Sequence, residues 1–461
     1  MGLNKPRIIH FVGIGGSGMS GIAEILLNLG HKVQGSDITR SDVIYRLEKL
    51  GAKIFIGHAS ENVGDAEVLV VSSAVQPDNP EVVTAIGKRI PVIPRAEMLA
   101  ELMRMKEGIA VAGAHGKTTT STLVAAILVE AGLDPTVVIG GRVKRFESGA
   151  KLGRGEYLVA EADESDGSFL HLAPIVAVVT NIDAEHLDYY GTEKKLHEAF
   201  MEFCNNVPFF GATIANGDDP VLSSFAPRMN KRFITFGFSE DCDLSATDYA
   251  QDGLRSSYTL VKDGRPMGKV QLNLTGRHNV LNSLAAIQTG LLLEIDFETI
   301  KKALNDFSGI ARRLEVKGEK NGVKVIDDYG HHPNEIKATL KGLRGAFSDR
   351  RLVTLFQPHR YTRTRDCLNG FTESFSDTDV LAVLPIYAAS EKPIQGISSN
   401  LISDGAIANG HKNVHLLESV DDSVEWLNKN LKKGDILLTL GAGNVFLQGE
   451  KYLENENNSK K

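Results

Sequence analysis

The sequence has few cysteines, and none of them are paired at a spacing that suits a metal. Among 461 residues there are three, far apart along the chain: Cys204, Cys242 and Cys367. A disulfide framework uses cysteines in pairs, and a structural zinc site needs close pairs such as C-x-x-C. Both kinds of site are therefore excluded, and a reducing cytoplasm is the expected compartment.

Long apolar runs and an excess of basic residues are also missing. No stretch reaches the roughly 18 consecutive apolar residues of a membrane helix. The N-terminal residues lack the apolar core of a secretory signal, so we expect no membrane insertion. The formal net charge of −7 does not suit general nucleic-acid binding, which depends on basic surfaces. The expected partners are small molecules.

The length suggests about three domains. In the first hundred residues, short apolar runs alternate with helical patterns, which predicts a doubly wound parallel sheet. A second unit of this kind begins near residue 107, and a third begins near Arg312. Residues 231–275 instead show alternating polarity and turn signals, which predict an antiparallel β excursion within the second unit.

The first candidate site is a glycine-rich loop between an expected strand and an expected helix. Gly13, Gly15 and Gly18 form a G-x-G-x-x-G pattern, and Asp37 ends the next expected strand. Glycines let the backbone approach phosphate, and a helix N-terminus attracts an anion. A nicotinamide dinucleotide site fits this pattern, but the chemistry requires only a diphosphate. A tight structural turn is the third alternative.

The second candidate site is a phosphate-binding loop, GAHGKTTT, at residues 113–120. In such loops the lysine meets the β- and γ-phosphates, and the following hydroxyl reaches Mg²⁺. The match to G-x-x-x-x-G-K-[ST] is imperfect, because Val111 stands at the first glycine position. An ATP site argues against a dehydrogenase, since hydride transfer needs no ATP. A non-catalytic ATP-binding module remains open here.

The third candidate site consists of acidic residues and a histidine after two expected strands. Glu161 interrupts the apolar run YLVA, and Asp163, Asp166 and His186 follow nearby. Carboxylates near a triphosphate can hold Mg²⁺, which prefers oxygen ligands. For Asp163 and Asp166, a solvated strand end is the simpler interpretation.

The fourth candidate site is a basic cluster after two strands of the third unit. The segments are DDYGHHP (residues 327–333) and FQPHRYTRTR (residues 356–365). We expect positive charge to be concentrated here by three arginines and three histidines: Arg360, Arg363, Arg365, His331, His332 and His359. Arginine forks suit carboxylate and phosphate, and open α/β sheets bind ligands at the carboxyl ends of their strands. A solvated basic loop is the alternative.

Together, these motifs resemble those of the Mur ligase family. The resemblance spans nearly the whole chain and rests on GIGGSGMSGIAE, GAHGKTTT, EADESDGSFL, NIDAEHLD, RHNVLNSLAA, RRLE, DDYGHHP and FQPHRYTRT. It implies an α/β protein of three domains. These are a Rossmann-like UDP-substrate domain at 1–106, a central P-loop ATPase domain at 107–311 and a Rossmann-like amino-acid domain at 312–461.

The resemblance also implies an activity and its substrates. Members with segments like DDYGHHP and FQPHRYTRT join L-alanine to UDP-N-acetylmuramate in peptidoglycan synthesis, with ATP and Mg²⁺. The first glycine loop then holds a UDP diphosphate and not a dinucleotide. The implied substrate-binding residues are Gly15, Gly16, Ser17, Gly18, Met19, Ser36, Asp37, Ser72, Ser73, His331 and His359.

The implied ATP-binding residues are Gly113, Ala114, His115, Gly116, Lys117, Thr118, Thr119, His278, Asn279, Asn282, Arg313 and Asp328. The implied magnesium positions are Thr118, Glu161 and His186, and the implied catalytic set is Lys117, Glu161, His186, His332, Arg360 and Arg363. We expect a monomer or a weak homodimer. Two positions depart from the family pattern, because Glu185 stands where aspartate is expected and Ser390 where glycine is expected.

Overall fold

A computed structural model of the chain describes residues 5–72, 74–143, 148–389 and 391–454. These residues contain three β-sheets with helices between the strands. They form two compact units. The first comprises residues up to 249 with 258–271 and 281–308, and the second comprises 250–257, 272–280 and 309 onward. No helix among the described residues has the length and apolar character needed to cross a bilayer.

The first sheet has five parallel strands in the order β3-β2-β1-β4-β5. Its strands are β1 (Ile8–Val12), β2 (Lys32–Asp37), β3 (Lys53–Ile56), β4 (Val68–Val71) and β5 (Val92–Pro94). The connecting helices are α1 (Ser17–Asn28), α2 (Asp42–Lys49) and α3 (Pro80–Gly87), and α4 (Arg95–Met103) follows β5. This is the doubly wound sheet that the alternation of strands and helices predicted.

The second sheet has ten strands in the order β15-β14-β13-β12-β11-β10-β6-β9-β7-β8. They are β6 (Glu107–Ala112), β7 (Thr136–Val143), β8 (Ser148–Lys151), β9 (Tyr157–Glu161), β10 (Val176–Val179), β11 (Ala212–Asn216), β12 (Arg232–Gly237), β13 (Leu244–Asp252), β14 (Arg255–Lys262) and β15 (Arg265–Leu272). Its central strands pair in parallel and are buried on both faces, so they read as continuous apolar runs.

The helices of this part of the chain are α5 (Lys117–Glu130), α6 (Leu187–Tyr190), α7 (Glu193–Asn205), α8 (Pro220–Ser223), α9 (Arg277–Leu292) and α10 (Phe297–Asn305). α5 follows β6 through the loop at residues 113–116, the first half of GAHGKTTT, so the strand, loop and helix occur in the predicted order. Thr192 caps the start of α7, where its side chain accepts a hydrogen bond from the Lys195 amide.

The antiparallel excursion is shorter than predicted. β12 pairs in parallel with both β11 and β13, so it belongs to the main sheet and not to the excursion. The neighbouring strands β13, β14 and β15 are joined by two-residue turns at 253–254 and 263–264. Such short turns can only join antiparallel strands. The excursion therefore covers residues 244–272 and not the whole of 231–275.

The third sheet has six strands in the order β16-β17-β21-β18-β19-β20. They are β16 (Glu315–Lys320), β17 (Val323–Asp328), β18 (Leu352–Phe356), β19 (Val380–Val383), β20 (Val414–Leu416) and β21 (Ile436–Leu440), with α11 (Pro333–Ala346), α12 (Tyr361–Asp366), α13 (Leu368–Thr372), α14 (Asn400–Ala408), α15 (Ser423–Asn430) and α16 (Phe446–Glu454). β16 is antiparallel to β17, and the other pairs are parallel. The three sheets agree with three α/β domains, whose exact limits stay a prediction.

A charged group lies in the interior of the first sheet's layer. The Glu81 carboxylate, at the start of α3, is fully buried. It accepts hydrogen bonds from Ser36 Oγ at 2.6 Å and Asn62 Nδ2 at 2.6 Å, and His10 Nε2 lies 3.2 Å away. Burial raises the pKa of Glu81, but the hydrogen bonds from His10, Ser36 and Asn62 outweigh burial and lower the pKa to about 2.

We predict that Glu81→Gln lowers the free energy of unfolding at pH 7 by about 1–3 kcal/mol, because buried hydrogen bonds to a charge are lost. The folded-state pKa of about 2 lies below the ordinary 4.5. The difference between wild type and variant is therefore full above about pH 4.5 and shrinks as the pH falls toward 2. Urea unfolding followed by circular dichroism at several pH values measures it.

The control is Glu67→Gln, which removes a partly exposed carboxylate paired with Arg7 near the same sheet. A surface pair of this kind contributes little stability. Equal effects of the two substitutions, or a difference that does not change with pH, would contradict the stabilising role of Glu81.

Candidate active site

The first glycine loop is held against the end of β2 by backbone hydrogen bonds. The amides of Gly13 and Ile14 donate to the Ser36 carbonyl at 2.8 and 3.0 Å. Gly13 has a φ of +78°, which favours glycine. The Gly15 amide donates to Asp37 Oδ2 at 2.8 Å. α1 begins directly afterwards, with Gly16 as its N-cap, so this loop leads into a helix N-terminus, which attracts anions.

The side chains around this loop have different surroundings. Ser36 is buried, and its hydroxyl donates to Glu81, so this residue shapes the loop through its carbonyl. Met19 lies in the hydrophobic core. Ser72 Oγ lies 3.7 Å from the position that a Cβ on Gly13 would take. The predicted contact Ser73 and the departure at Ser390 lie outside the described residues.

The second loop joins β6 to α5 and is fixed by residues that follow β10. The Ala114 amide donates to the Asn181 carbonyl at 3.2 Å, and the His115 amide donates to Asn181 Oδ1 at 2.9 Å. Gly116 caps α5 with a φ of +85°. A Cβ at Gly116 would lie 2.4 Å from Asn282 Oδ1, so the turn requires glycine. This loop also ends at a helix N-terminus.

Lys117, the first residue of α5, is held by a buried carboxylate. Its Nζ donates to the Gly113 carbonyl at 2.7 Å and to the two oxygens of Glu164 at 2.8 and 2.9 Å. Burial lowers the pKa of Lys117, but the charges of Glu164 and Asp163 outweigh burial and raise it above its ordinary value. The ammonium is therefore charged at physiological pH.

Acidic residues and histidines gather at the carboxyl ends of β9 and β10. One ligand atom from each of Glu164, Glu185 and His186 lies within 4.8 Å of the others. Among the described residues, this cluster resembles a metal site, but Glu161 is not part of it. His115 Nε2 lies 2.9 Å from Asp183 Oδ2 and 3.6 Å from Glu185 Oε1. Of the three predicted magnesium positions, His186 therefore belongs to this cluster, whose other two members were not predicted as metal ligands.

The three residues expected near the adenine are divided between the compact units. Asn282 belongs to the first unit, where its Oδ1 accepts a hydrogen bond from Thr120 Oγ1 at 3.3 Å. His278 and Asn279 belong to the second unit. The Asn279 side chain donates to the Thr275 carbonyl at 2.8 Å. Burial and, to a smaller extent, the charge of Arg313 lower the pKa of His278 to about 4, so its imidazole is neutral.

In the second unit, two acids shape the loop after β17. Asp328 is buried, and its oxygens accept hydrogen bonds from the amides of Leu314 at 2.8 Å and Gly330 at 2.9 Å. Glu335 accepts hydrogen bonds from the backbone amides of His331 and His332 at 3.0 and 3.2 Å. Both carboxylates therefore fix the position of the histidine pair at the start of α11.

The basic cluster brings the loops after β17 and β18 together. The rings of His331 and His359 lie 6.0 Å apart, and Arg363 Nη1 lies 3.1 Å from His359 Nδ1. Arg360 is exposed and has a φ of +73°, a conformation rarely adopted by residues with a side chain. Arg365 is paired with Asp366 on the surface. Of the three predicted arginines, Arg363 thus contacts His359 directly, and Arg360 acts on His359 through its charge.

The positive charge of this cluster comes from its arginines. Burial and the charge of Arg363, partly countered by Glu335, lower the pKa of His331 to about 3. Burial and then Arg363 lower the pKa of His359 to about 4. Both imidazoles are therefore neutral at physiological pH, which revises the expectation that these two histidines add positive charge.

Glu81 and Glu335 lie outside the sequence motifs, and Glu164 lies within EADESDGSFL but had no predicted role. The side-chain hydrogen bonds of Glu81 and Glu164 reach partners far along the chain, so no local pattern indicates them. Glu164 and Lys117 are 47 residues apart in sequence. The only signal for Glu335 was its place three residues after His332, which is the spacing of a capping box.

We predict that the imidazole resonances of His331 and His359 do not titrate between pH 8 and 5.5. NMR of the wild type, assigned with His331→Asn and His359→Asn, measures this. Because the unfolded chain takes up these protons near the ordinary value of 6.5, stability falls as the pH drops below about 6.5. A titration midpoint between 6 and 7 for either ring would contradict the buried neutral state.

Comparison with known proteins places the whole chain in one family. Family models match residues 8–107 (Mur ligase family, catalytic domain), 111–290 (Mur ligase middle domain) and 312–443 (Mur ligase, glutamate ligase domain). The chain is 53% identical over 449 residues to UDP-N-acetylmuramate–L-alanine ligase of Geobacter sp. (strain M21), covering 97% of each chain.

Solved structures of similar proteins support the same family assignment. UDP-N-acetylmuramate-alanine ligase MurC from Thermotoga maritima aligns with a TM-score of 0.84 at 29% identity, over 97% of this chain and 98% of that one. The murein peptide ligase of Psychrobacter arcticus aligns with a TM-score of 0.72 at 25% identity, over 97% and 98%. This chain is a member of the Mur ligase family.

Proposed function

We propose that the chain joins the amine of L-alanine to the carboxylate of UDP-N-acetylmuramate, using ATP and releasing ADP and phosphate. The observation that carries the proposal is full-length identity of about one half to relatives named for this reaction. The product is UDP-N-acetylmuramoyl-L-alanine, an intermediate of peptidoglycan synthesis. We place the enzyme in the cytoplasm, as a monomer or weak homodimer.

A carboxylate resists attack by an amine because it is anionic and lacks a good leaving group. In the proposed route, a carboxylate oxygen of the sugar acid attacks the γ-phosphorus of ATP, and ADP leaves. The amine nitrogen then attacks the acyl carbon of the acyl phosphate, phosphate leaves, and the nitrogen loses a proton. The first step depends mainly on positioning and charge neutralisation.

The second glycine loop supplies the ATP side of this reaction. The backbone amides of the first turn of α5 and the Lys117 ammonium are suited to the β- and γ-phosphates. Because Glu164 holds Lys117 at 2.8 Å, the lysine exchanges this carboxylate for phosphate oxygens when ATP binds. Glu164 then becomes free to take another cation.

The cluster of Glu164, Glu185 and His186 fits a divalent cation. Two of its three side chains offer carboxylate oxygens, the donors that Mg²⁺ prefers. Thr118 and Glu161 would complete the set, as the resemblance implies. Mg²⁺ bound here would neutralise phosphate charge. The residues of the chain orient the phosphates and keep Lys117 beside them.

The second unit supplies the acceptor side. Arg360 and Arg363 are suited to the carboxylate of alanine and to the anion of the tetrahedral intermediate. His331 and His359, with a pKa of about 3 and about 4, are poor acceptors for the amine proton. We therefore assign proton acceptance to His332, which the Glu335 carboxylate positions through its backbone amide.

Phosphate release from ATP tests the proposal. We expect release only when UDP-N-acetylmuramate and L-alanine are both present, with the peptide-bonded product seen by mass spectrometry. Serine and glycine, tested in place of alanine, measure acceptor selectivity. Release that needs neither acceptor would indicate a simple ATPase. Tight binding of NADH without any phosphate release would indicate a dehydrogenase.

Lys117→Ala is the companion variant. We expect a loss of turnover of about a thousandfold or more, because the charge near the transferred phosphate is removed. Calorimetric affinity for UDP-N-acetylmuramate should stay within about twofold, since the first glycine loop does not contain Lys117. Loss of both together would mean that the two sites are not separate.

A further prediction concerns an extra anion near the metal. Several sister Mur ligases carry a lysine carbamate downstream of the histidine that matches His186, and the expected position here is Phe200. Phe200 is buried, with its ring 5.3 Å from that of Phe169. Lys194 and Lys195 are exposed near the start of α7. We therefore predict that activity does not depend on a carbamate.

The measurement is the rate in CO₂-depleted buffer, followed by addition of bicarbonate at fixed pH and ionic strength. An unchanged rate is expected. A marked, saturable recovery would contradict the prediction and point to a carbamylated lysine elsewhere.

A further inference from the structure

Arg95 is a cation beside the first glycine loop that none of the motifs includes. It is the first residue of α4 and directly follows β5, the edge strand of the first sheet. Its side chain is 23% exposed, so most of the guanidinium's surroundings are protein. An arginine is seldom placed in this way without a partner for its charge.

One face of the Arg95 side chain packs on the first turn of α1. A Cβ placed on Gly18 would lie 3.0 Å from Arg95 Nη1 and 3.1 Å from Arg95 Cδ. These distances are tighter than most real Cβ contacts, so a side chain at position 18 would displace the guanidinium, and glycine leaves it in place. The third glycine of the G-x-G-x-x-G pattern therefore admits an arginine to the start of α1.

The other end of the guanidinium meets the loop after β9. Arg95 Nη2 lies 3.3 Å from Asp163 Oδ2. Asp163 Oδ1 accepts a hydrogen bond from the Ser165 amide at 3.1 Å, which fixes the carboxylate. Burial raises the pKa of Asp163, but Lys117, the Ser165 amide and Arg95 outweigh it, and the pKa lies below its ordinary value.

Asp163 directly precedes Glu164, the residue that holds Lys117. Arg95 thus joins the two glycine loops of the first unit through one short path. The path runs from the first turn of α1 to Arg95, from Arg95 to Asp163, and from the Asp163–Glu164 segment to Lys117. All of these residues lie in the same compact unit.

We propose that Arg95 is a substrate-positioning residue, whose guanidinium, oriented by Asp163, binds the diphosphate of the UDP-sugar at the start of α1. The inference rests on the proposed function, which assigns a UDP diphosphate to this loop. A planar guanidinium fork binds phosphate oxygens in pairs, and the helix N-terminus beside it favours the same charge. The bond to Asp163 sets where that diphosphate lies relative to the ATP loop.

A purely structural role is the competing explanation. A partly exposed ion pair contributes little to stability and involves no ligand. A structural role would leave the affinity for UDP unchanged, or would alter the Michaelis constants of all three substrates together. In contrast, a guanidinium that binds the diphosphate affects the binding of one substrate, the UDP-sugar, through its diphosphate group.

The experiment compares Arg95→Ala and Arg95→Lys with wild type, with UDP and UDP-N-acetylmuramate as separate calorimetric ligands. We expect Arg95→Ala to weaken both by about tenfold to a hundredfold, the range for losing a charge-assisted hydrogen bond. The KM values for ATP and L-alanine should stay within about twofold. Arg95→Lys should recover part of the affinity, because the charge is kept but the fork is lost.

Arg104→Ala is the matched control, because Arg104 caps the other end of α4 and is exposed, with Glu101 as its partner. It should change neither affinity. Asp163→Asn should raise the KM for UDP-N-acetylmuramate less than Arg95→Ala does, because it only loosens the guanidinium. Unfolding curves of all variants show whether the fold is intact.

Unchanged affinity of Arg95→Ala for UDP would overturn the assignment to the diphosphate, even if binding of the sugar acid were lost. Equal changes in all three KM values would indicate the structural role. If wild type bound neither UDP nor UDP-N-acetylmuramate, the proposed function itself would fail. Failure of the Arg95 assignment alone would give a different result, in which wild type and Arg95→Ala bind both ligands equally well.

Discussion

The carboxyl ends of parallel strands are the constraint on which every candidate site in this chain depends. Strands that run in parallel deliver the loops that follow them to the same edge of the sheet. β1 and β2 bring the first glycine loop and Asp37 together in this way, and β6, β9 and β10 bring together the second glycine loop and the acidic segments that follow. In the third sheet, β17 and β18 both pair with β21, and their loops carry the basic cluster. Residues far apart in sequence thus meet without any local signal between them.

Buried carboxylates hold these loops in shape. Glu81 holds Ser36 under the first loop, Glu164 holds Lys117 in the second, and Asp328 and Glu335 hold the backbone around the histidine pair. A buried charge is costly unless it is fully hydrogen-bonded, so each of these acids restricts its surroundings to one arrangement. Such fixed loops are what reactions governed by positioning and electrostatics require.

The two compact units differ in which of their site residues carry positive charge. In the first unit, Lys117 is charged and lies among acids that can release it to an anion. In the second, burial and neighbouring arginines keep His331 and His359 neutral, so Arg360 and Arg363 supply the charge. Neutral rings beside arginines can accept hydrogen bonds without adding repulsion, as the contact of 3.1 Å between His359 and Arg363 illustrates. The division suits a reaction in which phosphate is transferred first and an amine attacks second.

The sequence by itself determined the α/β class, the two glycine loops, the helices that begin after them and the family, because strand–helix alternation and loop glycines are local signals. It could not separate β12 from the antiparallel excursion, since alternating polarity does not reveal a strand's partner. Nor could it find the links of Lys117 to Glu164 or of Arg95 to Asp163, which span 47 and 68 residues. It placed charge on His331 and His359, whereas tertiary burial makes them neutral. These properties depend on what surrounds a side chain in space, and only the packing of the sheets and their loops decides that.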